Sequence, residues 1–95
     1  MTLISKMKYM YIYSNMQNGY IVHNTKKEFK SGHTHLNNFS TAKYIAYLAL
    51  YKRLPKKRHL SPYLIESVIR ISDDPEYTNK MIKFRETQNK KSEGG

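Results

Sequence analysis

Two short stretches hold the residues whose types and spacing could do chemistry. Residues 52 to 59 read Lys52-Arg53-Leu54-Pro55-Lys56-Lys57-Arg58-His59, which sets five of the chain's seventeen lysines and arginines, with a histidine, on one connection between two apolar helical segments. Like charges held this close repel one another, and phosphates relieve that repulsion where water only screens it. The chemistry expected of the run is contact with an anionic polymer; the plainer alternative is a solvated loop in a basic protein. The second stretch, Ser31-Gly32-His33-Thr34-His35, places two histidines one residue apart among lysines. Such a pair could act as general base and general acid on a ribose hydroxyl and a leaving oxygen, so a small, toxin-like, metal-independent ribonuclease using His33 and His35 is the catalytic alternative. Two histidines at this spacing need further ligands to hold a metal, and only His23 and Glu28 lie near in sequence, so neither metal nor cofactor is expected. With no phosphate-cradling glycine loop, serine triad or paired-carboxylate motif, the chain is read as a non-enzyme.

The composition supports a polyanionic partner. Seventeen basic residues against seven acidic ones give a formal net charge of +10 over 95 residues. That imbalance informs association rather than fold, and favours nucleic acid or an anionic surface. Lysines outnumber arginines thirteen to four. Compact ammonium groups suit phosphate contact, while few planar forks are present for bidentate reading of guanine, so affinity should exceed sequence specificity. The absence of cysteine removes any disulfide framework or thiolate metal site. No segment approaches a membrane span, and the first six residues lack the apolar stretch of a signal peptide, so a cytoplasmic protein without a membrane partner is expected.

The elements that must position these residues follow from periodicity. Lys8 to Ser14 alternates aromatic and aliphatic side chains and reads as a strand; Tyr20 to His23 reads as its partner across a five-residue turn that pairs Ile12 with Val22 and Tyr13 with Ile21. One face then carries Met10, Ile12 and Val22, and the other Tyr9, Tyr11, Tyr13 and Ile21. A two-stranded hairpin is marginal alone, so it must pack on helices or join a partner's sheet, and a homodimer is expected. Thr25 to Asn38 reads as a polar loop with room for a short strand. A first helix is expected from Ser40, as cap, to Arg53, with only Thr41, Lys43 and Lys52 clearly wet. A second should start at Ser61-Pro62, burying Leu64, Ile65, Val68 and Ile69 and leaving Tyr63, Glu66, Ser67 and Arg70 outside. A third opens at Asp73 or Asp74 before Pro75, with Tyr77, Met81 and Phe84 inward. The fold class is α+β, an N-terminal antiparallel β-hairpin packed on about three helices in one small basic domain over residues 1–87, with a variant winged-helix or helix-turn-helix unit as one arrangement. Residues 88–95 read as a disordered tail.

Charge placement then assigns the faces. The second helix offers one exposed cation, Arg70, beside Glu66, Asp73, Asp74 and Glu76, which together suit core packing or a second protein better than a DNA groove. The phosphate-facing set is expected to be Lys52, Arg53, Lys56, Lys57, Arg58 and His59 with Lys26, Lys27, Lys30 and Lys43. Asn15, Gln17 and Asn18 at the hairpin tip are the candidates for base edges. Stacking of unpaired bases on the tyrosine face is a lesser option. The resulting expectation is a non-catalytic protein binding nucleic acid, duplex DNA ahead of RNA, as a transcription regulator or accessory factor of a phage, plasmid or similar mobile element. A protein-binding inhibitor or adaptor is the remaining alternative.

Overall fold

The computed structural model describes residues 1–15, 19–56 and 60–94, with the side chains of the last helix described to residue 87. Four strands, β1 (Thr2–Met7), β2 (Met10–Ser14), β3 (Tyr20–Asn24) and β4 (His33–Leu36), precede three helices, α1 (Phe39–Tyr51), α2 (Pro62–Ile71) and α3 (Pro75–Gly94). The strands form one antiparallel sheet in the order β1-β2-β3-β4. The α+β class expected from the sequence is the class observed. The β2–β3 register is also the expected one, with Ile12 opposite Val22 and Tyr13 opposite Ile21.

Cross-strand packing explains that register. Met10, Ile12 and Val22 alternate onto one face and are fully buried against the helices with Leu36, Ile45, Leu48, Ile65 and Val68. A slip of one residue would turn that row to water and bring Tyr11 and Tyr13 inward.

The hairpin completes its sheet from within the chain, through two strands with weak sequence signals. β1 is an edge strand with a register irregularity between Leu3 and Ser5, so it lacks a clean alternation of apolar and polar residues. It joins β2 through Lys8-Tyr9, with Lys8 at φ 55°, a left-handed position where glycine or asparagine would normally announce the turn. β4 turns Thr34 and Leu36 inward and His33 and His35 outward. Gly32 makes its approach feasible, because a Cβ there would lie 2.5 Å from the Lys27 Cβ and 3.1 Å from the Glu28 carbonyl oxygen.

Several helix details differ from expectation. The cap of α1 is Asn38 rather than Ser40; its side-chain oxygen accepts the Thr41 amide at 3.0 Å. Asparagine caps at least as well as serine, and Phe39 then packs against Tyr20, tilted by 33° with ring centroids 5.6 Å apart. α1 also stops at Tyr51. Lys52 turns left-handed (φ 56°, ψ 48°), and the Arg53 amide reaches back to the Leu48 carbonyl, so the expected last-turn cations lie beyond the helix. Tyr47 and Tyr51, expected beside the core, are 41% and 46% exposed. In α2 the Ser61 cap and Pro62 start stand as expected. Ser67, however, is buried, because its Oγ accepts a 2.8 Å hydrogen bond from Thr34 and so meets β4 without an unsatisfied group. α3 is capped by Asp74, whose carboxylate accepts the Glu76 amide, and it buries Tyr77 and Met81. Its helical backbone extends to Gly94, past the position near Gln88 where the composition ends the domain. Among the described residues no helix is long and apolar enough to cross a membrane.

Asn24 is a fully buried polar residue that, like the Thr34–Ser67 pair, joins the layers. Its Nδ2 donates to the Ile71 carbonyl at 2.9 Å, and its Oδ1 accepts the Lys26 amide at 2.9 Å. Asn24→Leu strands the Ile71 carbonyl in a dry site and removes the partner of the part-buried Lys26 amide, so urea denaturation should show a loss of about 2–3 kcal/mol. A loss under about 0.5 kcal/mol would mean that this link is not structural.

Candidate nucleic-acid interface

The charged residues singled out in the sequence fall into separate places. Lys43 lies on α1 with its ammonium 5.0 Å from the Phe39 ring centre, near the start of β3, where Phe39 meets Tyr20. Lys26 and Lys27 follow the opposite end of β3, and Lys52 and Arg53 reach that same end from α1. The described members of the expected phosphate-facing set are therefore split, with Lys43 at one end of the sheet and Lys26, Lys27, Lys52 and Arg53 at the other.

At the shared end, three of the cations serve the fold. Lys27 Nζ donates to the carbonyls of Arg70 and Ser72 at 3.0 and 3.2 Å, closing the negative end of α2. Lys52 pairs with Asp74 at 2.9 Å, and Lys26 lies 3.9 Å from Asp73 with its ammonium 4.1 Å from the Tyr9 ring centre. The hydrogen bond from Lys52 holds the Asp74 carboxyl below its ordinary value, and the same bond raises the Lys52 ammonium. Desolvation, and then Asp73, raise the Tyr9 hydroxyl. Burial raises that of Tyr77, which donates to the Arg53 carbonyl at 2.6 Å and so anchors the start of the basic connection.

The four acids of the α2–α3 corner are all engaged. Glu66 meets Arg85, Asp73 meets Lys26, Asp74 meets Lys52 and Glu76 meets Lys80. Among the described residues, Lys6, Lys8, Lys30, Lys43, Arg53, Lys56 and Lys83 have no acidic partner within ion-pair distance. Lys57, Arg58 and His59 lie outside the described residues, as do Gln17 and Asn18 at the hairpin tip. Asn15 is used in closing its own turn: its side-chain oxygen accepts the Gly19 amide at 3.1 Å.

The histidines form the most organised group. The His33 and His35 rings are 5.0 Å apart, and His33 stacks on Phe29 at 4.3 Å with planes 6° from parallel. His33 Nδ1–H donates to the Phe29 carbonyl, and His23 Nε2–H donates to the Lys27 carbonyl at 3.0 Å. Since a carbonyl can only accept, these bonds fix both tautomers and leave one nitrogen of each ring for other partners. His33 and His35 pair with β3 at positions that turn their carbonyls to the sheet edge. There Arg70 Nε donates to His33 at 2.7 Å and the Tyr63 hydroxyl donates to His35. α2 thus protects the β4 edge, and Arg70, read from sequence as an outward cation, is a backbone clamp. A cleft of about 400 Å³ lies over these residues, lined also by Thr34, Glu66 and Ser67. Among the described residues no cluster of three or more metal-ligating side chains is present. Sequence spacing alone did not reveal the Phe29 stack, because it depends on how the loop before Gly32 folds back.

No known protein-family model matches this chain, and neither curated proteins nor solved structures give a match.

The Lys52–Asp74 pair has a defined pH window. The depressed Asp74 contributes stability above its ordinary value of 3.8 and loses it as pH falls through its folded value. The raised Lys52 contributes below its ordinary value of 10.5 and loses it as pH rises through its folded value. Asp74→Asn keeps a helix cap and removes the charge. It should lower the thermal midpoint modestly at neutral pH, with the difference from the parent shrinking well below pH 3.8. An equal difference at both ends of that range would show that the pair contributes nothing.

Proposed function

We propose that the chain is a non-catalytic nucleic-acid-binding protein that holds phosphates with its surplus cations, acting in the cytoplasm as a regulator or accessory factor. One observation carries this reading. The corner acids are neutralised by cations within the chain, while the remaining lysines described above have no acidic partner, so the surplus charge faces outward uncompensated. A polyphosphate compensates it and releases condensed counterions on binding. Duplex DNA, with one charge per about 1.7 Å of axis, is a dense polymer of this kind and the first to test. The acidic-corner adaptor is less favoured, since its carboxylates already have partners.

Binding should weaken linearly in log–log salt titration with a slope near 0.9 per phosphate contacted, and replacing Lys56, Lys57 and Arg58 with glutamine together should reduce that slope by about 2–3. An unchanged slope would remove the loop from the interface.

The geometry gives one reason to keep a catalytic reading in second place. The His33 and His35 rings, edge-to-face with centroids 5.0 Å apart, line a cleft with Arg70, an arrangement that sets two imidazoles and a guanidinium along one side of a phosphodiester. If that reading holds, purified protein cleaves single-stranded RNA without metal and His35→Ala abolishes cleavage; intact RNA with the parent protein removes it.

A further inference from the structure

We propose that the open face of the sheet is a stacking platform for single-stranded nucleic acid. The proposal rests on the nucleic-acid reading above and names its ligand class and its site. The helices cover the face made by Met10, Ile12, Val22, Thr34 and Leu36, and the alternate residues turn the other way. In register across the strands, that second face carries one row of Leu3, Tyr13, Ile21 and His35, of which Ile21 is itself buried, and another of Lys6, Tyr11, His23 and His33. Phe29 adds its ring from the loop, stacked on His33 and set edge-on to His23 at 5.1 Å. Tyr11 and Tyr13 lie 6.5 Å apart, and the Lys6 ammonium sits 5.1 Å from the Tyr11 ring centre.

Three properties suit unpaired bases. The rings are held in place by strand pairing and by the two histidine–carbonyl bonds, so little side-chain freedom is lost when a base stacks on them. Neither the two strands of the hairpin nor β1 or β4 contains an aspartate or glutamate, while Lys6 lies on the face, so the electrostatics favour a polyanion. Four strands about 4.8 Å apart span roughly 14 Å before side chains are added, wider than the roughly 12 Å major groove that a helix or a two-stranded ribbon enters. Bases within a duplex also hide their faces against one another; those of a single strand offer them. A second copy of this chain fits less well, since a twofold contact would set Lys6 and three histidines against the same groups.

Fluorescence anisotropy with labelled oligothymidylate and oligouridylate of about 12 nucleotides, and with a duplex of equal length, tests the proposal on the full chain at two salt concentrations. The parent should bind the single strands. Tyr11→Thr/Tyr13→Thr/His35→Thr keeps β-forming residues while removing rings, and should lose at least about fivefold in single-strand affinity with its salt slope unchanged. Tyr11→Phe/Tyr13→Phe retains the rings and should recover most of that loss in comparison. If the triple variant does not fold by circular dichroism, His35→Thr alone, at an exposed position, should show a smaller loss in the same direction. Unchanged single-strand affinity in a folded threonine variant overturns the platform and leaves the phosphate reading standing, as does a parent that binds duplex alone. A parent that binds no nucleic acid at all overturns both. A parent of dimeric mass whose threonine variant becomes monomeric assigns the face to a second copy and overturns the platform.

Discussion

The buried amide of Asn24 is the constraint on which the rest of this structure depends. It ends β3, fastens that strand to the carboxyl end of α2 through Ile71, and fixes the first turn of the following loop through the Lys26 amide. Its own amide donates to the Gly32 carbonyl and its carbonyl accepts the Lys27 amide, so the loop returns to the sheet at a defined point and β4 begins there. The position of Phe29 beside His33 follows from that return. So does the placement of Lys27, which closes the end of α2. A buried side chain with every polar atom satisfied specifies one arrangement, since any slip leaves several groups unpaired in a dry interior.

That arrangement also sorts the charges. Basic residues near the sheet's far end meet the acids of the α2–α3 corner, and the pairing ties α1, α3 and the loop together without using the sheet's outer face. Exposed pairs of this kind contribute little stability individually. Their larger effect is on the field of the molecule, since they absorb four carboxylates locally and, among the described residues, leave the lysines named above without an acidic partner.

Much of the fold was legible in the sequence where two levels of signal agreed. The hairpin register was readable because Ile12 and Val22 had to share a buried face, and α2 was readable because Ser61 and Pro62 marked its start ahead of an apolar stripe. β1 was not, since its irregular register removes alternation and its turn uses Lys8 in a conformation that lysine rarely signals. The end of α1 is hidden for a similar reason, with Lys52 taking the left-handed position that glycine usually occupies. Ser67 reads as solvent-facing, and the backbone contacts of the exposed Arg70 stay hidden, because their partners, the Thr34 hydroxyl and the β4 carbonyls, are more than thirty residues away in sequence. At the site, residue types were visible and their grouping was not. The histidine spacing signals chemistry, yet the ring ladder with Phe29 and His23 requires the sheet, and Lys43 lies at the opposite end of it from Lys26, Lys27 and Lys52.

Aromatic proton–carbon NMR during titration with a single-stranded oligonucleotide tests the central claim most directly, because it reports ring by ring where bases settle. Ring-current shifts are expected at Tyr11, Tyr13, Phe29, His33 and His35, with Tyr47 on α1 little affected. Shifts confined to the helices, or none at saturating oligonucleotide, would contradict the account.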